Sequence, residues 1–381
     1  MMTSLIFGCL ALVGTIVTTA QALLAWRFRR SARPFVEGLP FRQAAFVSIL
    51  KPVCGLDDEL EENLRSFTRL RGIRYEVIIS AEEWDDPAVE IVRRVMREHP
   101  SAPFRLVVEA GSHAGVVNRK VERLIAAARA AEGDIFFISD SNVRVELDDL
   151  AATVAAFNEP GVGCVSNLFT GAGARTLGAT LESLHLLGFV VPGVVLAACG
   201  GVPCVVGKSM AISRRAHDAI GGFSRFRRML AEDQAIALAV RDAGFGVVLS
   251  PVVVRNVVID RSVRRALDRQ VRWNKIRYAF SHRLYATELV LNPLAFAMLA
   301  AVASPALALF PVGIALIRIL QLALLNRSTS ACLGWRQLAI TPLLDLLMLY
   351  AWFVPFFSNR ITWRGYEARI GRDTELMQLA A

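Results

Sequence analysis

Asp140 stands where a buried strand is expected to end. It follows an apolar run at residues 135–139 and precedes Ser141 and Asn142. Ligand sites in open α/β sheets lie just beyond the carboxyl ends of the strands. A carboxylate at that place can hold a divalent cation against a diphosphate, so Asp140 is the first candidate for a site that uses a nucleotide-linked substrate.

The divalent cation expected at Asp140 is Mg²⁺ or Mn²⁺, because both ions prefer oxygen ligands and complete their coordination shells with water and phosphate. Many enzymes that use nucleotide sugars carry Asp-x-Asp here, whereas this chain has Asn142 at the third position. An amide offers a carbonyl oxygen but no charge. We therefore expect Asp140 and Asn142 to hold the metal, in a site that is weaker or differently shaped than a carboxylate pair would make.

A second acidic site, the pair Glu232 and Asp233, follows a polar loop and lies at the start of a predicted helix. A carboxylate within hydrogen-bond reach of an attacking hydroxyl can take its proton, which makes Asp233 a candidate general base. On local grounds both acids can equally well serve only to complement the helix amino terminus.

A short motif with basic and aromatic residues comes later in the chain and contains Gln270, Arg272 and Trp273. An arginine can clamp a phosphate through two parallel hydrogen bonds. The Trp273 ring can stack on an acceptor or anchor the chain at a membrane interface, and the local pattern favours neither.

The elements that must position these residues alternate between strands and helices. Apolar runs predict strands at 44–51, 75–80, 104–109, 134–139, 162–167, 202–212 and 245–249, and helical spacing predicts helices from 60, from 87, at 117–131 and at 232–243. This alternation predicts an α/β domain built on a doubly wound, mostly parallel sheet.

Polar residues follow three of these strands: Lys51 with Pro52, Glu82 with Glu83, and Asp140. Polar residues often do no more than cap strands, but three at one sheet edge indicate a shared crevice. Asp86 precedes Pro87, and the local pattern favours a simple helix cap for it.

The amino-terminal segment, residues 5–26, is uncharged and long enough to span ~30 Å of hydrocarbon. The basic cluster of Arg27, Arg29 and Arg30 follows this segment, whereas a signal peptide would begin with its basic residues. We therefore predict an uncleaved anchor at 1–30 in an inner, cytoplasmic membrane, with the next domain facing the cytoplasm.

Further apolar segments lie at 289–325 and 338–357, and we expect the one acid of the latter, Asp345, to face other helices rather than lipid. The first segment either crosses once with a re-entrant part or crosses twice and leaves the tail outside, and the charge rule favours the first. The predicted divisions are an anchor (1–30), a cytoplasmic α/β domain (41–258), a basic interfacial helix (259–285), a membrane region (286–357) and a basic cytoplasmic tail (358–381).

The amino-acid composition limits the kinds of molecule that the protein is expected to bind. Hydrophobic residues make up 54% of the 381 residues, and the net charge is +9. The arginines cluster beside apolar segments, which favours contact with anionic lipid over a merely solvated basic face. No basic patch interleaved with aromatic residues fits a nucleic-acid module, and the six cysteines suit reduced thiols rather than a zinc site.

Several short motifs taken together resemble the ceramide glucosyltransferases, a family of membrane-bound glycosyltransferases. The motifs occur in the family's order and spacing: Lys51-Pro52, Glu83-Trp84-Asp85-Asp86-Pro87-Ala88, Asp140-Ser141-Asn142-Val143-Arg144-Val145, Ala231-Glu232-Asp233 and Arg269-Gln270-Val271-Arg272-Trp273. The likeness extends to Val205-Val206-Gly207-Lys208-Ser209-Met210 and to Ile361-Thr362-Trp363-Arg364, and so covers most of the chain.

The resemblance implies a GT-A fold and transfer of glucose from UDP-glucose to a ceramide-like lipid with inversion. It implies that Asp86 lies near the nucleotide, that Asp140 binds the metal and that Asp233 is the base. Gln270, Arg272 and Trp273 would close over the diphosphate and the acceptor. Lys51, Pro52, Glu83 and Lys120 complete the candidate substrate-binding residues.

Other functions remain open at this point. The same donor site would serve a transferase that glycosylates a hopanoid with UDP-N-acetylglucosamine, or one that acts on a polyprenyl phosphate. An inactive membrane scaffold is a further alternative, although the presence of Asp140, Asp233 and Arg272 together argues against it. A transporter is disfavoured because the chain has too few spanning segments and no internal repeats.

Overall fold

The computed structural model describes residues 2–31, 45–110, 117–363 and 366–378. The chain divides into two compact units, which we call the sheet unit (Ala32–Thr170 and Ala197–Val257) and the helical unit (Met1–Ser31, Gly171–Leu196 and Val258–Ala381). The predicted start of the α/β domain at residue 41 and Arg364 of the predicted tail lie outside the described residues.

The strands of the described chain are β1 (Phe46–Pro52), β2 (Arg74–Ala81), β3 (Phe104–Val108), β4 (Ile135–Ser139), β5 (Val143–Arg144), β6 (Val162–Ala172), β7 (Ser209–Ser213), β8 (Gly246–Val257), β9 (Arg360–Trp363), β10 (Tyr366–Ile370) and β11 (Leu376–Met377).

The helices of the described chain are α1 (Met2–Arg30), α2 (Leu60–Arg65), α3 (Pro87–Glu98), α4 (Arg119–Ala130), α5 (Asp149–Val154), α6 (Leu177–His185), α7 (Val191–Cys199), α8 (Arg214–Ala219), α9 (Glu232–Asp242), α10 (Val263–Phe280), α11 (His282–Thr287), α12 (Pro293–Ala303), α13 (Phe310–Thr329), α14 (Trp335–Leu338) and α15 (Thr341–Phe353).

The main sheet has the strand order β3-β2-β1-β4-β7-β6-β8-β5. Its first four strands are parallel, and β7 pairs antiparallel with both β4 and β6. The α/β class is thus confirmed, and the apolar runs that predicted the strands are buried in it. All five residues of β4 and six of the seven in β1 are buried.

Helix α4 packs against β1 and β2 and closes one part of the core of the sheet unit. Its buried side chains Val121 and Leu124 join Leu50, Ile78 and Phe136 in one apolar cluster. Asn118 caps α4, because its side chain accepts a hydrogen bond from the Lys120 backbone N–H at 3.0 Å. This cap starts the helix where the predicted segment 117–131 begins.

The parallel pairing brings the carboxyl ends of β1, β2 and β4 to one edge of the sheet. Lys51 pairs with Ile79 and Leu50 with Ile138, so the three strands end within a few residues of one another. The residues that follow β2 and β4, beginning at Glu82 and Asp140, therefore leave the sheet at the same edge, as the strand pattern predicted.

The helical unit carries most of the apolar helices. Within the described residues, four helical segments are long and apolar enough to cross a membrane: Met2–Arg30, Leu177–Cys199, Pro305–Thr329 and Trp335–Phe356. A pair bent by 63°, His282–Leu291 with Pro293–Ala303, makes a fifth if the two form one span. These helices fit a membrane protein.

One predicted strand was given the wrong start. The strand predicted at 202–212 begins only at Ser209, because the apolar residues before it form a loop. The apolar stretch 289–325 is interrupted by prolines and contains α12 and most of α13. The predicted tail at 358–381 contains a small sheet with the order β11-β10-β9.

Helix α6, followed by α7, was not predicted at all. The apolar segment Leu177–Cys199 contains Glu182 and His185, which interrupt its sequence pattern. The fold compensates one of these charges inside the helical unit, since Arg261 Nη1 lies 2.7 Å from Glu182 Oε2. Segment Gly171–Leu196 groups with the helical unit, although it falls inside the predicted 41–258 domain.

Candidate active site

Asp140 leads out of β4 into a turn that the surrounding backbone holds in place. Its N–H donates to the Lys208 carbonyl at 3.2 Å, and the Val143 N–H donates back to the Asp140 carbonyl at 3.1 Å. Beneath the turn, the fully buried Lys51 ammonium donates to the Asp140 carbonyl at 2.8 Å. Burial lowers the pKa of Lys51 to about 7, although the Asp140 charge opposes this. Lys51 therefore positions the turn, and direct contact of its side chain with a substrate stays a prediction.

The Asp140 carboxylate lies between two ammonium groups. Its Oδ1 is 2.9 Å from Lys120 Nζ, and its Oδ2 is 3.0 Å from Lys208 Nζ. Burial alone would raise the pKa of Asp140, but the two lysines outweigh it and hold the pKa far below its usual range. Asp140 is therefore ionised at neutral pH.

Lys120 is the centre of this arrangement. Its Nζ lies 3.0 Å from Glu232 Oε1 and donates to the Gly207 carbonyl at 3.1 Å, in addition to its contact with Asp140. Burial disfavours its charge, but Asp140, Glu232 and Asp233 together raise the pKa of Lys120 above its ordinary value. One ammonium thus links the end of β4 to the start of α9.

Asp233 lies in the first turn of α9 and touches the same loop. Its Oδ2 accepts from the Gly207 N–H at 2.5 Å, and its Oδ1 accepts from the Gln234 N–H at 2.8 Å. Burial raises the pKa of Asp233 to about 6, with help from Glu232 and against the charge of Lys120. A carboxylate with such a pKa is still ionised at neutral pH and is a stronger base than an ordinary aspartate.

Position 207 has little room for a side chain. A Cβ there would lie 2.9 Å from Lys120 Nζ and 3.0 Å from Asp233 Cβ. Any side chain here would push the Lys120 ammonium away from its place and crowd Asp233, whereas glycine lets the backbone contact both groups.

The Asp86 carboxylate accepts hydrogen bonds from backbone N–H groups. Its Oδ1 accepts from the Ala88 N–H at 2.8 Å, which caps α3, and both of its oxygens accept from the Gly55 N–H. Glu83 is exposed, and Pro52 is buried at the end of β1. The helix cap favoured on local grounds is present, and contact of Asp86 or Glu83 with a nucleotide stays a prediction.

The predicted metal ligands converge on one cation. Lys208 Nζ lies 3.0 Å from Asp140 Oδ2 and donates to Asn142 Oδ1 at 2.8 Å, so the two oxygens face a common point occupied by positive charge. Across residues 2–31, 45–110, 117–363 and 366–378, no group of three or more His, Cys, Asp or Glu side chains is suited to a metal. A divalent ion held by these two oxygens would have to take the place of the Lys208 ammonium, so metal binding by Asp140 and Asn142 stays a prediction.

The remaining predicted residues, Gln270, Arg272 and Trp273, lie on α10 in the helical unit. The amide of Gln270 is 2% exposed and has no hydrogen-bond partner among the described residues. The Arg269 guanidinium stacks over the Trp273 ring at 4.4 Å. Whether these residues bind a diphosphate or an acceptor stays a prediction.

Sequence reasoning missed Lys208 and Asn118. Lys208 stood in a glycine-containing stretch but received no role, and Asn118 fell inside the helix predicted at 117–131 without a role of its own. The Asn118 amide donates to Glu232 Oε2 at 2.9 Å and to the Met229 carbonyl at 2.9 Å, which fixes the loop before α9. No local sequence pattern marked Lys208 as a partner of Asp140, because its position depends on the antiparallel pairing of β7 with β4.

Comparisons with known proteins identify the family and the fold of this chain. The glycosyl transferase family 21 pattern matches residues 6–376. Ceramide glucosyltransferase 3 of Caenorhabditis elegans is 28% identical over 246 residues, 64% of this chain and 52% of the relative. Ceramide glucosyltransferase 1 of the same organism is 28% identical over 250 residues, with the same coverage. The chain thus spans about half the length of these curated relatives.

Among solved structures, the mannosyltransferase PcManGT from Pyrobaculum calidifontis, in complex with GDP-Man and Mn²⁺, superposes with a TM-score of 0.52. It is 18% identical, and the match covers 92% of this chain and 99% of that one. This likeness supports the GT-A fold of the sheet unit. Since the family pattern covers nearly the whole sequence, the chain belongs to glycosyl transferase family 21.

Proposed function

We propose that this protein transfers a sugar, with glucose as the first candidate, from a UDP-sugar to the hydroxyl of a ceramide-like membrane lipid. The observation that carries the proposal is the cluster around Gly207, where the Asp140 carboxylate contacts the Lys120 and Lys208 ammonium groups and the Gly207 backbone contacts both Lys120 and Asp233. The names of the two Caenorhabditis elegans relatives support glucose and ceramide. The GDP-Man and Mn²⁺ of the Pyrobaculum structure support a nucleotide-sugar donor and a divalent metal.

Transfer of a sugar from UDP to a hydroxyl requires one proton acceptor for that hydroxyl and positive charge near the leaving diphosphate. The acceptor oxygen attacks the anomeric carbon as its proton passes to the Asp233 carboxylate. The bond between that carbon and the phosphate oxygen breaks, and UDP leaves with the electron pair. Because this is a single displacement without an enzyme nucleophile, the configuration at the anomeric carbon inverts.

Lys120 and Lys208 provide the positive charge that the sheet unit itself holds. Their ammonium groups lie 2.9 and 3.0 Å from the Asp140 oxygens, in a part of the chain where both lysine side chains are largely buried. Preorganised cations in a poorly hydrated site stabilise developing negative charge better than water does. We propose that both lysines bind the donor diphosphate.

We further propose that Asp140 and Asn142 hold Mg²⁺ or Mn²⁺ together with the donor. When bound, this ion supplies additional positive charge to the leaving diphosphate. Asp140 also keeps the two lysines oriented, so that its role does not depend on the metal alone.

Removal of divalent cations tests the metal proposal. We expect exhaustive chelation to lower the transfer rate by at least about tenfold and to weaken UDP binding, because part of the charge facing the diphosphate is lost. Transfer rates and calorimetric UDP affinity should both recover when Mn²⁺ or Mg²⁺ is added back. Full activity and unchanged UDP affinity after chelation would refute the role of Asp140 and Asn142 as metal ligands.

From the family pattern we propose Arg272 as a further cation for the leaving diphosphate. Arg272→Ala should then lower kcat by about 10²-fold, a loss typical for one preorganised donor in a transition state. Arg264→Ala is the matched control, since Arg264 lies on the same helix with an exposed side chain. Unchanged kcat and KM in the Arg272 variant would remove this assignment.

For the location we propose an inner, cytoplasmic membrane, with the sheet unit on the cytoplasmic side where nucleotide sugars occur. The support is the basic end of α1, with Arg27, Arg29 and Arg30 in its last turn.

The function as a whole is tested with membranes that contain the protein and a panel of labelled UDP-sugars. The lipid product, identified by mass spectrometry, should be a β-glucosylceramide. A labelled hopanoid or a polyprenyl-linked sugar would replace the proposed acceptor, and the absence of any labelled lipid would contradict the transferase proposal.

A further inference from the structure

The loop at residues 203–208 connects the proposed base with a lysine of the site. The Gly207 N–H donates to Asp233 Oδ2 at 2.5 Å. The next residue, Lys208, places its Nζ 3.0 Å from Asp140 Oδ2. The position of this loop therefore sets the distances between the groups that the proposed reaction uses.

Strand pairing does not hold the start of this loop. Residues 203–206 lie outside the regular strands, and β7 begins only at Ser209. The Val206 N–H lies 3.5 Å from Ser166 Oγ, which is long for a hydrogen bond. The position of residues 203–206 therefore depends on other side chains that bond to their backbone.

Gln234 makes two shorter hydrogen bonds to the same stretch. Its Oε1 accepts from the Val205 N–H at 3.0 Å, and its Nε2 donates to the Pro203 carbonyl at 2.8 Å. A carboxamide is both a donor and an acceptor, so one side chain satisfies two opposite backbone groups of the loop. Gln234 thus fixes the loop at two residues ahead of Gly207.

The same residue directly follows the proposed base in helix α9. The Gln234 N–H donates to Asp233 Oδ1 at 2.8 Å, and the other carboxylate oxygen of Asp233 accepts from the Gly207 N–H. Two neighbouring residues of one helix therefore hold the loop, Gln234 near its start and Asp233 near its end. Because both side chains extend from α9, a change at the start of the loop is passed on to the contact at Gly207.

We propose that Gln234 is a positioning residue for the sugar transfer, which holds the 203–208 loop on α9 so that Gly207 stays on the base and Lys208 stays beside Asp140. It acts through the loop and not by contact with a substrate. The importance of Asp233 as a base rests on the proposed function, whereas the contacts of Gln234 with the loop do not depend on it.

Displacement of the loop should change the environment of Asp233 in a known direction. Burial raises the pKa of Asp233 to about 6, with help from Glu232. The Lys120 charge and the Gly207 and Gln234 N–H groups oppose this rise. A hydrogen bond to the ionised form lowers the pKa of a carboxyl, so loss of the Gly207 contact should raise the pKa of Asp233 further. A residue that only stabilised the fold would leave this pKa unchanged.

The Gln234→Met variant tests the proposal, because methionine is about as long as glutamine but lacks its amide. We expect kcat/KM at pH 8 to fall about tenfold, and the acid limb of the pH profile to move about one unit towards higher pH. Arg241→Met is the matched control, since Arg241 lies on the same helix, is exposed and pairs with the adjacent Asp242. It should keep the wild-type profile. An acid limb at the wild-type pH in Gln234→Met would overturn the proposal.

Hydrogen exchange of the full chain in nanodiscs gives a second measurement, which needs no activity. In Gln234→Met, peptides that span 203–208 should exchange about tenfold faster than in wild type, because the Val205 and Gly207 N–H groups lose their fixed acceptors. Peptides from β4 and α4 should exchange as before. Unchanged exchange in the loop contradicts the proposal, and so does faster exchange throughout the sheet unit, since Gln234 would then support the fold as a whole.

The two measurements separate this inference from the proposed function. If wild-type protein glycosylates a lipid, and Gln234→Met loosens the loop without moving the acid limb, the positioning role fails while the function stands. If wild-type protein transfers no sugar to any lipid, the proposed function fails, and hydrogen exchange alone decides whether Gln234 holds the loop.

Discussion

Asp233→Asn should lower kcat by about 10²- to 10⁴-fold, the contribution typical of a positioned general base. Asparagine has nearly the same shape, and its carbonyl oxygen can still accept from the Gly207 or the Gln234 N–H, but it cannot take a proton from the acceptor hydroxyl. UDP-sugar affinity should change little, because Lys120 and Lys208 remain. Steady-state kinetics with a calorimetric measurement of UDP binding checks both expectations.

The matched control is Glu232→Gln, which changes the neighbouring acid. Glu232 contacts Lys120 at 3.0 Å and Asn118 at 2.9 Å, so it positions these groups without being the proposed base. We expect a smaller loss in this variant than in Asp233→Asn. A rate near wild type in Asp233→Asn, or a larger loss in the control, would remove Asp233 as the base.

The pH profile gives an independent check on the same residue. The pKa of Asp233 is raised to about 6 by burial and by Glu232, and a base acts only in its ionised form. The value of kcat/KM should therefore be constant above neutral pH on this limb and fall as the pH decreases through about 6. This acid limb should be absent from the residual activity of the asparagine variant.

Asp140→Asn should lower kcat by about 10²-fold or more, because the orientation of two cations and the binding of a metal depend on one carboxylate. Without that charge Lys120 keeps Glu232, whereas Lys208 retains only the amide oxygen of Asn142 among the contacts described above. Added Mn²⁺ should then no longer strengthen UDP binding. Transfer rates and metal-dependent calorimetry measure the two effects.

Asp134→Asn is the control for this change, since Asp134 precedes the same strand at its other end and is exposed. Its carboxylate accepts from the Phe46 N–H at 3.2 Å and has no contact with either lysine. We expect it to keep nearly full activity. If both variants behave alike, the loss at Asp140 reflects damage to β4 and not to the proposed site.

Sequence reasoning located secondary structure best where a short run of apolar residues forms a buried strand. The strands that became β1, β2, β3 and β4 were predicted within two residues of their ends, because each is a buried apolar run bounded by turn residues. The apolar run at 202–208 was wrongly included in a strand. There the Gln234 side chain holds the backbone, accepting from the Val205 N–H at 3.0 Å and donating to the Pro203 carbonyl at 2.8 Å.

The partners of the charged residues could not be read in the same way. Lys208 reaches Asp140 because β7 pairs antiparallel with β4, with Ser209 opposite Ser139. That pairing places the residue before β7 beside the residue after β4. No local pattern announces it, since strand periodicity states which face is buried and not which strand is the neighbour.

The sequence by itself determined the alternation of strands and helices, the apolar helical segments other than Leu177–Cys199, and the positions of the acidic residues at strand and helix ends. Each of these depends on residues close together in the chain. Only the tertiary structure decided that Lys120 and Lys208 flank Asp140 and that the Gly207 backbone contacts both Lys120 and Asp233. The physical reason is that charges compensate one another over a few ångströms of space, and long-range strand and helix pairing decides which charges come that close.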